Sequence, residues 1–190
     1  MDIHKSGRRA VFFDRDGVLN RAEVRNGKPY APRDIESFQI LPDAYPATKA
    51  LHRAGLLLIV VTNQPDVGNG LVSQSTVAAM HDLLGKFLPI DVIKVCFHRQ
   101  GDNCLCRKPQ PGMLLEASQQ WNIELSKSFM VGDRWNDVVV GRMQGCYTIF
   151  IDRGYSEPLK ELPDATVTSL TEATELILSR LKDDETKGNI

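Results

Sequence analysis

The sequence has no long apolar run, almost no net charge and few aromatic residues. No stretch approaches the ~18 consecutive apolar residues of a membrane-spanning helix, and the charged start MDIHKSGRR is not followed by the apolar core of a signal peptide. A net charge of −1 at pH 7 leaves no broad basic face for nucleic acid or an anionic membrane. We therefore expect a cytoplasmic, monomeric protein with a small-molecule partner and neither a nucleic-acid nor a membrane partner.

Cysteine is scarce and unevenly placed. The sequence contains four cysteines, and three of them lie within residues 96–106. A disulfide framework would join distant segments, so this clustering favours a metal site instead. The length of 190 residues is near the upper size of one domain, which predicts a single domain over 1–190 with a core of about 8–182.

Short apolar runs alternate with longer amphipathic stretches along the chain. The runs predict strands at 9–14, 56–62, 91–96, 128–133 and 147–152. The stretches between them predict helices near 43–54, 73–87, 111–121, 135–144 and 170–182. This alternation is typical of an α/β fold, with a parallel sheet and helices on both faces.

Polar residues follow several of the predicted strands. Asp14, Thr62 and Asp133 stand at three strand ends, and ligands bind at the carboxyl edge of such a sheet. Asp16 is two residues after Asp14, so in extended backbone both carboxylates point to the same side, and Gly17 lets the chain turn away. DRDG is also a common solvated turn, but the polar ends of the other strands favour a Mg²⁺ site of Asp14, Asp16 and Asp133.

Four motifs in this order carry a resemblance to a known family. They are FFDRDGVLN, IVVTNQ, RKP and VGDRWND, spread over residues 12–137. The pattern resembles the haloacid dehalogenase superfamily of phosphohydrolases. The resemblance implies a Rossmann-like fold, and the short segments between the motifs leave no room for a large cap domain.

The resemblance also implies a Mg²⁺-dependent phosphatase with an aspartyl-phosphate intermediate. Asp14 would be the nucleophile, which needs no general base because a carboxylate is already ionised at pH 7. Asp16 would act as acid and then base, with its backbone carbonyl on Mg²⁺. Asp133 would complete the metal site, and Asp137 would hold a metal-bound water or orient Lys108.

Other motif residues would bind the phosphate and the rest of the substrate. Thr62 would donate its hydroxyl, and Asn63 its backbone or amide N–H, to phosphate oxygens, and Lys108 would supply positive charge. Arg107 would reach the rest of the substrate. The resemblance implies further substrate contacts at Ala22, Glu23, Val24, Arg25, Gln64 and Pro65, although proline at 65 removes one backbone N–H. The basic residues Arg15 and Arg134, also expected near the mouth of the site, would suit a substrate with two phosphates.

The segment CFHRQGDNCLC over 96–106 predicts a second metal site. Cys96, His98, Cys104 and Cys106 form a tetrahedral Zn²⁺ set, and four protein ligands make such a zinc structural. The alternative is buried cysteines beside an incidental histidine. Because Arg107 follows this zinc-binding loop directly, we expect a rigid loop to prepare it and Lys108 for the phosphate.

The zinc-binding loop and CRKPQPGML also resemble two subfamilies. The sequence of the motif is close to that of the heptose bisphosphate phosphatases, whereas the five-residue gap between His98 and Cys104 is nearer to the histidinol-phosphate phosphatases. We expect a sugar phosphatase of the heptose 1,7-bisphosphate type. Histidinol-phosphate phosphatase is the alternative. A polynucleotide 3′-phosphatase fits less well, because the sequence has no stacking aromatic residues interleaved with a basic groove. A non-enzymatic zinc-binding interaction module is the alternative from another class; it would lack the nucleophile or the acid, yet both are present.

Overall fold

A six-stranded parallel sheet forms the centre of the computed structural model, which describes residues 7–187. Its strand order is β5-β4-β1-β6-β7-β8, and each neighbouring pair is parallel. A separate antiparallel hairpin is formed by β2 and β3. The strands are β1 Ala10–Phe13, β2 Glu23–Arg25, β3 Lys28–Tyr30, β4 Leu57–Asn63, β5 Val92–Cys96, β6 Phe129–Gly132, β7 Tyr147–Ile151 and β8 Ala165–Val167.

Helices cover both faces of the sheet, which confirms the predicted fold class. They are α1 Ala44–Arg53, α2 Pro65–Gly68, α3 Gln74–Phe87, α4 Gly112–Trp121, α5 Trp135–Met143 and α6 Leu170–Lys187. Val11 and Phe13 of β1 pack in a core with residues of α1, α3 and α6, whereas Ala10 and Phe12 pack with residues of α4 and α5. This alternation buries both faces of β1, as its continuous apolar sequence requires.

The five predicted strands and five predicted helices are all present, with ends that shift by a few residues. Five short elements and part of α6 were not predicted: β2 and β3 of the hairpin, α2, β8, a 3-10 helix at Leu125–Lys127, and the extension of α6 from 182 to Lys187. The hairpin is built from strands of three residues joined by Asn26 and Gly27, which both have positive φ. Asn-Gly is a strong hairpin signal, but strands this short carry little hydrophobic pattern.

The described residues share one sheet and its flanking helices. The single domain predicted for 1–190 includes residues 1–6 and 188–190, which lie outside the described residues, so that boundary stays a prediction. Within residues 7–187, no helix combines the length and the apolar character needed to cross a bilayer.

Candidate functional site

Three buried carboxylates meet at the carboxyl edge of the sheet. Asp14 follows β1, Asp133 follows β6, and Asp137 lies in the first turn of α5, with ligand oxygens within 4.8 Å of one another. Gly17 allows this approach: it has φ +84°, and a Cβ there would lie 1.7 Å from Asp133 Oδ2. Only glycine fits a position with both a positive φ and this contact.

A single lysine lies between two of these carboxylates. Lys108 Nζ is 3.1 Å from Asp14 Oδ1 and 2.6 Å from Asp137 Oδ1, and its side chain is almost fully buried. Asn63, at the end of β4, holds the main chain of this lysine on both sides. Its Oδ1 accepts from Lys108 N at 3.0 Å, and its Nδ2 donates to Lys108 O at 3.1 Å.

Burial and mutual repulsion perturb these charges. Burial raises the pKa of Asp14 to about 6, although the Lys108 ammonium acts in the opposite direction. Burial, with repulsion from Asp14 and Asp137, raises the pKa of Asp133 well above its usual value. Burial alone would lower the pKa of Lys108, but its two carboxylate partners raise it. The site therefore carries more negative charge than one ammonium can balance.

Asp133 also shows that the cluster suits a divalent cation. Both of its carboxylate oxygens are buried, and neither meets the geometry of a hydrogen bond within the described residues, although the nearby Tyr155 hydroxyl lowers the pKa of this carboxyl. A buried carboxylate without partners is costly unless a cation binds it. Mg²⁺ prefers one or two carboxylates together with water and phosphate oxygens, and Asp14 and Asp133 could supply them.

The carboxylate of Asp16 does not join this cluster. The predicted metal set was Asp14, Asp16 and Asp133, but Asp137 supplies the third clustered carboxylate. Asp16 instead accepts from Asn20 Nδ2 at 2.9 Å and from Gln64 Nε2 at 2.8 Å. Asp16 still lines the cleft, and the contact of its backbone carbonyl with Mg²⁺, which the resemblance implies, stays a prediction.

The structure does not bring the side chain of Arg15 to the cleft, where it was predicted to contact substrate: the side chain is completely buried and is not among the cleft-lining residues. Its guanidinium donates to both oxygens of Asp16, at 2.9 and 3.1 Å. Burial thus extends from the hydrophobic strand that precedes Asp14 to the side chain of Arg15. A charged side chain can be buried this close to a core when it is paired with an opposite charge.

Two predicted phosphate-binding side chains also have partners within the protein. Gln64 Nε2 donates to Thr62 Oγ1 at 3.0 Å as well as to Asp16. Thr62 is fully buried, and because its oxygen accepts from Gln64, its own O–H stays free to donate. Gln64 and Thr62 are buried and are not among the cleft-lining residues. The side-chain amide of Asn63 is bound to Lys108, so of the two donors predicted for Asn63, backbone and amide, the amide already has a partner within the protein.

The cleft above the carboxylates has a volume of ≈ 630 Å³. Its walls come from the hairpin, from the zinc-binding loop and from the loops after β4 and β6. Of the predicted substrate residues it contains Asn63, Pro65, Arg107, Lys108 and Arg134, together with Asp14 and Asp16. The side chain of Arg134 lies against Glu157, whose Oε2 accepts from Arg134 Nε at 2.8 Å.

The structure does not bring the predicted residues Ala22, Glu23, Val24 and Arg25 to this cleft. They line a different surface depression with Arg21, Ser37 and Gln39. The cause is the hairpin, in which Lys28, Pro29 and Tyr30 of β3 face the cleft and β2 lies outside them. Recognising Asn26-Gly27 as a hairpin turn would have indicated that the chain returns to the site at 28–30.

The second cluster lies in the zinc-binding loop, and it brings together all four predicted ligands. The ligand atoms of Cys96, His98, Cys104 and Cys106 all lie within 4.8 Å of one another. Cys96 Sγ is 3.7 Å from Cys104 Sγ, and Cys106 Sγ is 3.2 Å from His98 Nδ1. The shortest contact in the set, between Cys106 Sγ and Cys96 Sγ, is 3.0 Å. With Zn–S bonds of about 2.3 Å, tetrahedral ligands lie roughly 3.8 Å apart, so the four side chains are close enough together to hold a zinc ion, although some of their separations are shorter than in an occupied site.

Comparison with known proteins identifies the family. The family described as HAD-hydrolase-like matches residues 105–173. D-glycero-beta-D-manno-heptose-1,7-bisphosphate 7-phosphatase of Pasteurella multocida is 34% identical over 146 residues, which cover 71% of this chain and 76% of that protein. The protein of the same name from Vibrio cholerae is 33% identical over 171 residues, covering 84% and 88%.

The chain belongs to the heptose-1,7-bisphosphate 7-phosphatase family of haloacid dehalogenase-like hydrolases. The solved structure of D,D-heptose 1,7-bisphosphate phosphatase from B. bronchiseptica, complexed with magnesium and phosphate, agrees. It has a TM-score of 0.77 and 25% identity, and the match covers 90% of this chain and 99% of that one. The predicted superfamily and enzyme class are confirmed, and membership of this phosphatase family argues against the non-enzymatic alternative.

Proposed function

We propose that this family member hydrolyses the 7-phosphate of D-glycero-D-manno-heptose 1,7-bisphosphate in a Mg²⁺-dependent reaction. One observation carries the proposal: Lys108 is buried between Asp14 and Asp137, beside two unpartnered oxygens of Asp133. Such an excess of buried negative charge suits a metal and a phosphate together. The identity of the sugar in this proposal is taken from the names of the relatives.

In this proposal Asp14 attacks phosphorus and forms an aspartyl-phosphate, while Lys108 holds phosphate oxygens through its ammonium group. Asp14 and Asp133, with the backbone carbonyl of Asp16, hold Mg²⁺, and Asp137 orients Lys108 through the 2.6 Å contact. When bound, Mg²⁺ neutralises the repulsion between the carboxylate and the anionic substrate. Burial of Asp14 keeps the reacting oxygen away from bulk water.

Asp16 and Thr62 complete the proposed reaction. Asp16 protonates the C7 alkoxide as it leaves and then removes a proton from the water that attacks the aspartyl-phosphate. The hydroxyl of Thr62 donates to a phosphate oxygen, because its own oxygen already accepts from Gln64. Hydrolysis releases inorganic phosphate and returns Asp14 to its starting state.

Three cations in the cleft support a substrate with two phosphates. Lys28, Arg107 and Arg134 line the cleft in addition to Lys108. We assign Arg107 to the phosphate that is not cleaved, because its guanidinium can bind a phosphate through two donors. A volume of ≈ 630 Å³ is in the range of small-ligand sites.

We further propose that the Cys/His cluster binds one structural zinc ion. When bound, Zn²⁺ would cross-link the four ligands, leaving no open position for substrate. The cross-link shortens the free chain that precedes Arg107 and thereby lowers the entropy that this arginine loses on binding substrate. The protein would act in the cytoplasm as a monomer on a phosphorylated sugar, without nucleic-acid or membrane partners.

Phosphate release from a small panel tests the proposal. Purified protein with Mg²⁺ is given the β and α anomers of the heptose bisphosphate, the heptose 1-phosphate and histidinol phosphate. We expect turnover of a bisphosphate anomer with retention of the 1-phosphate, and the names of the relatives make the β anomer the first choice. Turnover of histidinol phosphate alone would overturn the heptose assignment. The short gap after His98 would then have indicated the substrate better than the CRKPQPGML motif.

A further inference from the structure

Arg15 is one of the largest fully buried side chains of the described residues, yet it has no place in the proposed reaction. Its Nη2 donates to both oxygens of Asp16, and its Nε donates to Oδ1 at 3.2 Å. The guanidinium carbon lies 5.5 Å from the centre of the Phe38 ring. A planar guanidinium that binds both oxygens of a carboxylate fixes its rotation as well as its position.

The remaining side of Arg15 faces helix α3. Arg15 Nη1 lies 3.2 Å from His81 Nε2 and 3.9 Å from the sulfur of Met80. Arginine has only donors, so Nε2 of the histidine must accept, and its proton must be on Nδ1. Thioether sulfur is a weak acceptor, which makes His81 the main partner of Nη1.

We propose that His81 and Arg15 are positioning residues that hold the carboxylate of Asp16 in its working orientation. The inference rests on the proposed function, in which Asp16 is the acid and base. Without His81, a buried N–H of the guanidinium would keep only a sulfur partner, so Arg15 would shift towards another acceptor. Asp16 would then lose the paired contact that fixes its rotation, and only the single hydrogen bonds from Asn20 and Gln64, one to each oxygen, would still hold its carboxylate.

Such a shift affects one class of substrate more than another. An alkyl leaving group, as in a sugar phosphate, needs a proton from Asp16 as the P–O bond breaks. The p-nitrophenolate ion is stable without a proton, so attack of Asp14 on p-nitrophenyl phosphate proceeds without that acid. Hydrolysis of the aspartyl-phosphate needs Asp16 as base for both substrates.

The experiment compares His81→Leu with His81→Gln, whose side-chain oxygen can accept from Arg15, and with His52→Leu on the exposed face of α1 as matched control. We expect His81→Leu to lower kcat for the sugar phosphate by about 10- to 100-fold, the effect of a misplaced acid. KM should change less than about 2-fold, because His81 does not line the cleft. The glutamine variant should recover most of kcat.

Rapid mixing with p-nitrophenyl phosphate separates positioning from a merely structural role. We expect His81→Leu to release close to one nitrophenolate per chain in a fast burst, followed by slow turnover. Arg15→Lys, which loses the two-oxygen contact, should show the same pattern if it folds. Unchanged kcat in His81→Leu, or a burst that shrinks in proportion to kcat, would overturn the inference while leaving the proposed function intact. A wild-type protein without phosphatase activity would overturn both.

Discussion

The two candidate metal clusters differ in chemistry, burial and attachment to the fold. The carboxylate cluster consists of three buried oxygen donors at strand and helix ends, together with a lysine. The cysteine–histidine cluster draws its ligands from the end of β5 and one loop, and only Cys96 is fully buried. Oxygen donors that leave room for substrate suit a reacting magnesium, whereas four soft ligands suit a closed structural zinc.

The difference shows how one chain separates chemistry from recognition. In the proposed reaction, Asp14 and Asp133 act from the ends of β1 and β6 in the parallel sheet. Arg107, which we assign to the phosphate that is not cleaved, lies in a loop that a metal can stiffen without altering the sheet. Lys108 joins the two regions, since it follows the zinc-binding loop and ends between the carboxylates.

The largest effect should come from removing the nucleophile. Asp14→Asn should lower kcat by at least about 10⁴-fold, because an amide cannot form the aspartyl-phosphate. Thermal unfolding should show an intact fold, and zinc content should not change. Asp82→Asn on the exposed side of α3 is the matched control. Appreciable activity in Asp14→Asn would contradict the covalent reaction.

The zinc-binding loop should respond to mutation in a different way. Cys106→Ser should abolish zinc binding, lower Tm by several degrees, at roughly 2–4 °C per kcal/mol, and raise KM more than it lowers kcat. Cys146→Ala, which removes the cysteine outside the cluster, should keep its zinc. Metal analysis, calorimetry and steady-state kinetics measure these effects. A zinc-free variant with unchanged KM and Tm would refute the role given to the loop.

A smaller effect should follow from loosening the connection between the two clusters. Asn63→Ala removes both hydrogen bonds to the main chain of Lys108 and should lower kcat by about 10-fold as the ammonium moves. We expect the zinc content to stay the same, which would show that the loss of activity comes from the displaced Lys108 and not from loss of the metal. Asn69→Ala, an exposed substitution just after α2, is the control. Equal kinetics of the two variants would mean that the amide of Asn63 is not needed.

The smallest effect concerns the pH dependence of stability. Burial raises the pKa of Asp14 from 3.8 to about 6, so the folded protein binds more protons than the unfolded chain between about pH 4 and 6. Stability without metal should therefore fall as pH rises through this window, and Asp133 acts in the same direction. Mg²⁺ should raise Tm by a few degrees more at pH 7.5 than at pH 5. An equal shift at both pH values would contradict the raised pKa.

Much of the fold and part of the site could be predicted from the sequence. Continuous apolar strands and the polar residues that follow them predicted the sheet and the edge where Asp14 and Asp133 meet, and the family resemblance added Lys108. The hairpin was missed because its three-residue strands carry almost no periodic signal, and this misplaced the substrate contacts at 22–25. Arg15 was misplaced because arginine is usually exposed, and no pattern in DRDG indicates that His81 lies 66 positions away in sequence but within hydrogen-bond distance.

The short hairpin bears on which step limits the rate of turnover. One wall of the cleft is a ribbon of two three-residue strands, and the described residues contain no second globular unit that folds over it. In the proposed reaction we expect substrate to enter and phosphate to leave without a large rearrangement of these residues. The turnover rate of such an enzyme should be limited by bond breaking or by release of its products. Added viscosity should then lower the turnover rate only by slowing the diffusion of substrate and products.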